Sequence, residues 1–255
     1  MIIKTDFDPK EIEEFKSLKI SEKYIIGDSP KIVQKLIDEK IVIHKLLCSE
    51  KYFKTFKKSE LVKIVYIQTL LKLKEITGFN LHHGVMALAE HPKLKSLEEL
   101  KPPYLILNGL TSPENIGTII RTASAFNINS IIIDKNTVSP YIRRAIRVSM
   151  GNIFFVNIHK TNNLLSTLKI LKSKNIEILS AANEHNSLNI HSENFHKNSA
   201  VIIGSEGHGI DRDILLASDK VIKIPILEKV AHINASCAAS VFLSKLSFDS
   251  NLLNI

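Results

Sequence analysis

The chain has 255 residues, 44% hydrophobic and 24% charged, with a net charge of +8 and a pI near 9.3. That is enough apolar material for one large or two modest globular domains, and the basic balance favours an anionic partner such as nucleic acid. No apolar run approaches membrane-spanning length, and two cysteines, Cys48 and Cys237, offer neither a disulfide framework nor a metal-ligand spacing, so no membrane and no metal is expected and a cytoplasmic location is the default.

The first residues, Met1 to Pro9, carry acids where a secretory leader would have its apolar core. Asp8-Pro9-Lys10-Glu11 reads as a helix start, followed by Ile12, Phe15 and Lys19 on a short amphipathic helix. Tyr24–Ile26 reads as a strand, and Ser29-Pro30 opens a helix with the stripe Ile32, Val33, Leu36, Ile37. Strands at 41–47, 63–67 and 84–89 alternate with a Lys-rich helix near 50–57 and a helix over 69–77 stopped by Gly78. The alternation predicts a small α/β sandwich with no catalytic constellation; His82 and His83 read as a loop pair. Residues 91–103 are polar and bracketed by prolines, which is linker composition, and domains are expected at 1–96 and 104–255 with 97–103 between them.

Tyr104–Leu107 reads as a buried strand leading into the turn-rich loop Asn108–Gly117, and a helix over 116–126 carries Ile119, Ile120, Ala123 and Phe126 on one face with Arg121 off it. Asn115, Gly117 and Arg121 thus converge near a strand's C-terminal end, where α/β sheets bind ligands. Ser130–Asp134 is the next strand, Ser139-Pro140 opens a helix ended by Gly151, and strands at 153–156 and 176–181 flank a helix over 164–174. Only five of the 34 basic residues are Arg, and Arg143 and Arg147 at i,i+4 share a helix face, either a phosphate-binding face or a solvated one. Ala200–Ile203 then reads as a fully buried strand running into Gly204-Ser205-Glu206-Gly207-His208-Gly209. These glycines serve either an ordinary tight turn or the close approach of a ligand. Asp211 can cap a helix; Val221–Ile224 is a last strand, and a proline-led loop from Pro225 enters a helix whose start, Ala235–Ser240, is nearly all small residues.

Three of these blocks, Asn115-x-Gly117-x-x-x-Arg121, Gly204-Ser-Glu-Gly-x-Gly209 and Ile224-Pro225 with Asn234-Ala235-Ser236, resemble in order and separation the motifs of the SpoU/TrmH (SPOUT) RNA 2′-O-ribose methyltransferases over residues 104–248. Arg147-Val-Ser-Met-Gly151 is similar to a further family pattern. The first hundred residues resemble an L30e-like substrate-binding domain, ending in His82-His83-Gly84-Val85. The resemblance implies a C-terminal α/β trefoil knot, an exception to the rule of unknotted chains, with S-adenosyl-L-methionine (AdoMet) held against the backbone at Gly204, Ile224 and Ile233. It also implies a homodimer whose partner chain helps form each site, and RNA as substrate, ribosomal in preference to transfer RNA. Asn115, Arg121, Glu206 and Asn234 become the catalytic set, with Arg121, Arg143 and Arg147 toward RNA. A guanidinium stays protonated, so Arg121 is expected to grip phosphate and favour an ionised 2′-OH, with Glu206 fixing it, while Asn115 and Asn234 orient. The chain departs from the family's Ser-Leu-Asn with His232-Ile233-Asn234, and His232 is expected to accept the proton. A non-catalytic RNA-binding or ribosome-assembly protein and a methyltransferase acting on a base nitrogen are the competing readings.

Overall fold

Short β-branched runs alternating with capped amphipathic segments fold, in the computed structural model, into two α/β units: Met1–Lys93 with Tyr141–Phe154, and Leu94–Pro140 with Phe155–Ile255. Residues 1–16, 23–78, 83–230 and 232–253 are described; Lys19 of the first expected helix and His82 of the loop pair lie outside them. The first ninety residues form β1 (Ile2–Lys4), a 3-10 segment (Pro9–Lys16), β2 (Tyr24–Asp28), α1 (Pro30–Asp38), β3 (Ile43–Cys48), α2 (Glu50–Phe56), β4 (Val62–Ile67), α3 (Leu70–Thr77) and β5 (Val85–Glu90). Beyond them come β6 (Tyr104–Asn108), α4 (Pro113–Ala125), β7 (Ser130–Ile133), α5 (Arg143–Val148), β8 (Asn157–Lys160), α6 (Leu164–Ser173) and β9 (Glu177–Ala181). β10 (Leu188–Asn189), β11 (Ser199–Gly204), α7 (Arg212–Ala217), β12 (Lys220–Lys223) and α8 (Ala235–Asp249) complete the chain.

In the first unit the sheet order is β1-β4-β3-β5-β2, with β1, β4 and β3 parallel and β5 antiparallel to both its neighbours. The end signals act as their chemistry dictates. The Ser29 hydroxyl accepts from Ile32 N to cap α1, Thr69 caps α3, and Gly78 at φ +76° ends α3 in the left-handed conformation. The core gathers Ile12, Phe15, Leu47, Tyr66, Leu73, Met86 and Leu88.

Several elements differ from the sequence expectation. The first helix is a 3-10 segment broken at Ile12, whose φ of −123° leaves the helical region. The apolar run at 153–156 is not a strand: Asn152–Phe155 is a 3-10 turn, and the strand is Asn157–Lys160, in register from Ser130↔Asn157. Ile153 and Phe154 are buried either way, which is why a short apolar run does not distinguish the two. The arginine helix starts at Arg143 rather than at Pro140, behind an N-cap Ile142 that supplies no side-chain cap. Residues 97–103, expected as a linker, lie within the second unit. There Ser96 N donates to the Glu99 carboxylate at 2.8 Å, and Leu97 and Leu100 are buried with Tyr104 and Ile106 in the unit's core.

The second unit carries a seven-stranded parallel sheet in the order β10-β12-β9-β11-β6-β7-β8. Its central strand is β11, whose residues from Ser199 to Ile203 are all buried. A parallel strand covered on both faces needs this unbroken apolar run. Among the described residues no helix is long and apolar enough to cross a membrane.

Within the first unit, Arg143 of α5 is held by Asp28 at the end of β2, Nε to Oδ2 at 2.8 Å, and its guanidinium also reaches the Phe15 carbonyl at 3.5 Å. Burial pushes the Asp28 carboxyl above its ordinary value, while Arg143 and then Arg147 pull against it. A folded-state pKa above the unfolded one means that ionised Asp28 costs stability above that pKa, and the cost fades as pH falls through it. Removing the cation leaves burial less opposed. Arg143→Met is therefore expected to melt below the wild type at neutral pH, with the deficit narrowing as the pH is lowered and Asp28 takes a proton. Thermal denaturation across pH checks this; a deficit equal at every pH would show that Asp28 is not the group responsible.

Candidate active site

The site follows from which strands are neighbours. β11 pairs with β6 on one side (Ile202↔Ile106, Gly204↔Asn108) and with β9 on the other (Ile203↔Ala181), and β12 pairs with β9 beyond. Parallel strands ending level send their loops out side by side at the C-terminal edge, where open α/β sheets bind ligands. The loops after β6, β11, β9 and β12 are therefore adjacent, although far apart in sequence.

The glycine loop after β11 is closed on itself. Ser205 N donates to Gly209 O at 3.0 Å, Gly209 N to Ser205 O at 2.9 Å, and His208 N to Ser205 Oγ at 3.2 Å. A Cβ on Gly204 would lie 2.3–2.5 Å from the backbone of Gly209 and Ile210. Gly204 is thus required by the loop's own return, before any ligand is considered. Gly209 is required by its φ of +67°.

Beside this loop a buried amide joins two sheet ends. Asn108, 1% exposed, donates from Nδ2 to Asp134 Oδ2 and to Asp211 Oδ2, both at 3.0 Å, and accepts Asp211 N on Oδ1 at 2.9 Å. Asp134 Oδ1 in turn accepts Gly109 N, Thr137 N and Thr137 Oγ1 at 3.1, 2.8 and 2.6 Å. Both protons of the Asn108 amide and its oxygen are satisfied, the condition for a polar group to be stable at this depth. Asp211, expected as a cap, stands at the N-cap of α7 without a side-chain cap bond, because its carboxylate is turned to Asn108. Nothing in the local pattern around Asn108 or Asp134 announced this pairing.

The first and third sequence blocks also meet. Asn234 is the N-cap of α8: its Oδ1 accepts Ser236 N at 2.8 Å and Ser236 Oγ at 2.6 Å, and its Nδ2 donates to Asn115 Oδ1 at 3.1 Å. Asn115 sits in the first turn of α4, its N–H given to Ser112 Oγ. The small residues expected at the start of α8 serve close packing, with Ala235, Ser236 and Ala239 buried where α8 lies against α4 and β11. Arg121 is exposed on α4, off the buried face of Ile116, Ile119, Ile120 and Ala123.

His232, Ile233 and Ile224 come together in a cleft of about 120 Å³ with Ala181, Asn183 and Phe242. The sequence reading found the wall from β12 and the loop before α8, and missed the wall supplied by the end of β9 and by Phe242. The expected Glu206–Arg121 pair is not formed. Among the described residues neither side chain makes an ion pair, and both are exposed, where water leaves little to hold such a pair. Arg143 is occupied by Asp28, which leaves Arg147 as the exposed cation of that face. No group of three His, Cys, Asp or Glu among the described residues could hold a metal ion.

The model of the SpoU rRNA Methylase family matches residues 102–244. A TrmH-family protein of Staphylococcus aureus strain MSSA476, named as a tRNA/rRNA methyltransferase, is 29% identical over 214 residues, 80% of this chain and 86% of that one. The 23S rRNA (guanosine-2′-O-)-methyltransferase RlmB of Blochmanniella floridana is 32% identical over 153 residues, 59% of each chain. Among solved structures, a TrmH-family protein of Porphyromonas gingivalis superposes with a TM-score of 0.84 at 19% identity, covering 95% of this chain and 98% of that one. The SpoU methyltransferase AviRb of Streptomyces viridochromogenes, solved with AdoMet, superposes with a TM-score of 0.80 at 16% identity over 93% and 97%. At these identities the structural likeness is one of fold.

Gly204→Ala is expected to open the loop, so that the amides of Ser205 and Gly209 lose protection in hydrogen-exchange mass spectrometry. Gly207→Ala, where a Cβ meets nothing within 4 Å, is expected to leave them protected. Equal protection in both variants would overturn this account of Gly204.

Proposed function

This chain belongs to the SpoU rRNA Methylase family, and we propose that it transfers a methyl group from AdoMet to a ribose 2′-OH of RNA, ribosomal rather than transfer RNA. The observation that carries the reading is the hydrogen bond from Asn234 to Asn115, which joins the first and third blocks one turn or two from the exposed Arg121. The name of the RlmB relative supports ribosomal RNA and the ribose hydroxyl.

The residues present fit the cofactor in part. The cleft at Ile224 and Ile233 has apolar walls and the polar Asn183. Its volume is below the roughly 300–1,000 Å³ of sites that enclose a whole drug-sized ligand, so it suits the purine end of AdoMet rather than all of it. Bound there, AdoMet supplies an electrophilic methyl group. The chain's own residues then have distinct tasks. Arg121, always protonated, holds RNA phosphate and lowers the cost of charge on the attacking oxygen. Asn115 and Asn234, fixed on each other, orient the hydroxyl. Glu206, at the tip of its loop, meets the substrate or Arg121 once RNA is bound. His232 accepts the proton, since a neutral imidazole is a competent base near neutral pH.

The same reading makes the protein a cytoplasmic homodimer, in keeping with the free thiols of Cys48 and Cys237. Along α8, Cys237, Val241, Ser244 and Phe248 form an exposed, uncharged stripe at helical spacing, with Phe248 85% exposed. A second copy that covers the same stripe would be self-complementary, as a two-fold interface requires.

Transfer of labelled methyl from AdoMet to ribosomal RNA tests the activity, with alkali-resistant linkages marking the ribose product. Arg121→Ala is expected to lower the transfer rate by roughly 10²–10³ with AdoMet affinity by calorimetry unchanged, and His232→Ser to flatten the rate's pH dependence. Absence of AdoMet binding in the wild type would favour a non-catalytic RNA-binding role. Phe248→Glu is expected to shift the protein to monomer in sedimentation; an unchanged mass would place any dimer contact elsewhere.

A further inference from the structure

The cleft at Ile224 and Ile233 has one wall whose position is set from outside it. That wall is Phe242, the first aromatic side chain of α8 after a start of small residues, and it lines the cleft together with Ala181, Ala238 and Ile233. A phenylalanine ring turns about two side-chain bonds, so it holds one rotamer beside a cleft only where something packs behind it. Behind Phe242 stands Phe195, with the ring centroids 6.1 Å apart and the planes 25° from parallel; both residues are buried.

Phe195 belongs to no helix or strand: it lies between the 3-10 turn Ile190–Ser192 and β11. Such a segment keeps its place through side-chain ties, and here they come from the far end of α8. The Phe195 N–H donates to Asp249 Oδ2 at 2.9 Å, and Lys245 Nζ stands 5.4 Å from the Phe195 ring centroid. Lys245 also pairs with Asp249 Oδ2 at 2.9 Å, and both side chains are largely buried, where water screens the charges less than at the surface. Two residues before Phe195, Glu193 accepts Lys220 of β12 at 3.0 Å. Asp249 is the last residue of α8, where a negative charge opposes the helix dipole, and a lysine four residues before an acid is the weaker order for a helical ion pair. Helix stability therefore does not account for the pair, whereas its grip on the backbone and ring of Phe195 does.

We propose that Phe195 is a positioning residue for AdoMet: clamped by Lys245 and Asp249, it fixes the Phe242 ring as a wall of the cleft and so sets cofactor affinity. The proposal rests on the reading that this cleft takes the purine end of AdoMet. Phe195, Lys245 and Asp249 do not line the cleft and act through Phe242. A wall already held in one rotamer needs no ordering when the ligand arrives, whereas a loose one must be ordered at the expense of affinity. The methyl-transfer step itself is left unchanged.

Calorimetry with AdoMet on the full-length protein, well below its melting temperature, tests this alongside methyl transfer. Phe195→Ala is expected to weaken AdoMet binding and raise its KM by about tenfold, with kcat at saturating AdoMet unchanged. Lys245→Met, which keeps most of the packing and removes the cation, is expected to weaken binding by about threefold. Asp249→Asn, which can still accept the Phe195 N–H, is expected to stay closer to wild type than Asp249→Ala. Ala238→Leu, which fills the cleft directly, is expected to abolish binding. Wild-type affinity in both Phe195→Ala and Lys245→Met while Ala238→Leu loses binding overturns the clamp and keeps the cleft, as does a fall in kcat with affinity intact. Undiminished binding in Ala238→Leu places AdoMet elsewhere and overturns the reading of the cleft and the proposal together.

Discussion

A single buried amide, that of Asn108, holds the C-terminal edge of the second unit's sheet together. It stands at the end of β6, level with Gly204 at the end of β11, and its three hydrogen bonds tie Asp134 of one loop and Asp211 of another to the same point. Two carboxylates brought this close would repel unless something between them donates, and a primary amide supplies two protons in the needed directions. A carboxylate in its place would add a third negative group, and an apolar side chain would remove the donor to Asp134 Oδ2, at a buried position, and to Asp211 Oδ2. The glycine loop begins at Gly204 and ends at Ile210, between this anchor and the strand, so its shape is fixed from both sides.

That anchoring changes what the glycines mean. Read along the chain, Gly204, Gly207 and Gly209 are equivalent candidates for a ligand's close approach. In the folded unit they differ: Gly204 is filled by backbone of the same loop, Gly209 is there for its left-handed φ, and Gly207 faces open space. The cleft with the apolar walls lies instead against Ile224, Ile233 and the end of β9. The loop's contribution is to place Ser205 and Glu206 at the sheet edge.

What the sequence made legible was local. Caps, glycine stops and β-branched runs act over three or four residues, and they marked Ser29, Thr69, Gly78, β6, β11 and α8 within a residue or two. The ordering of the three blocks carried the family, because their spacing is set by the same sheet. What stayed hidden was pairing across the chain. Asn108 and Asp211 are 103 residues apart, Asn234 and Asn115 are 119 apart, and neither pair has a local signature. Arg143 shows the cost of reading charge without partners: the i,i+4 spacing is real, yet Asp28, 115 residues away, takes the guanidinium. The run at 153–156 shows the same limit for apolar residues, since burial in a 3-10 turn satisfies them as well as a strand does.

The site residues fall into two physical classes, and the division bears on how a reaction can start. Asn115, Asn234, Asn108 and Asp211 are held by each other, at distances of 2.9–3.1 Å, with no substrate present. Arg121, Glu206 and His232 are exposed, and neither Arg121 nor Glu206 has an ion-pair partner among the described residues. An exposed arginine keeps its rotamer freedom until something fixes it, and in water an isolated carboxylate at loop-tip distance cannot do so. An RNA phosphate can, because it excludes water and accepts the planar fork in a charge-assisted pair. On the proposed reaction, the frame that orients is thus preformed, and the charge that promotes it would be assembled by the substrate itself. Methyl transfer on that reaction would then depend on RNA binding and not on cofactor binding alone.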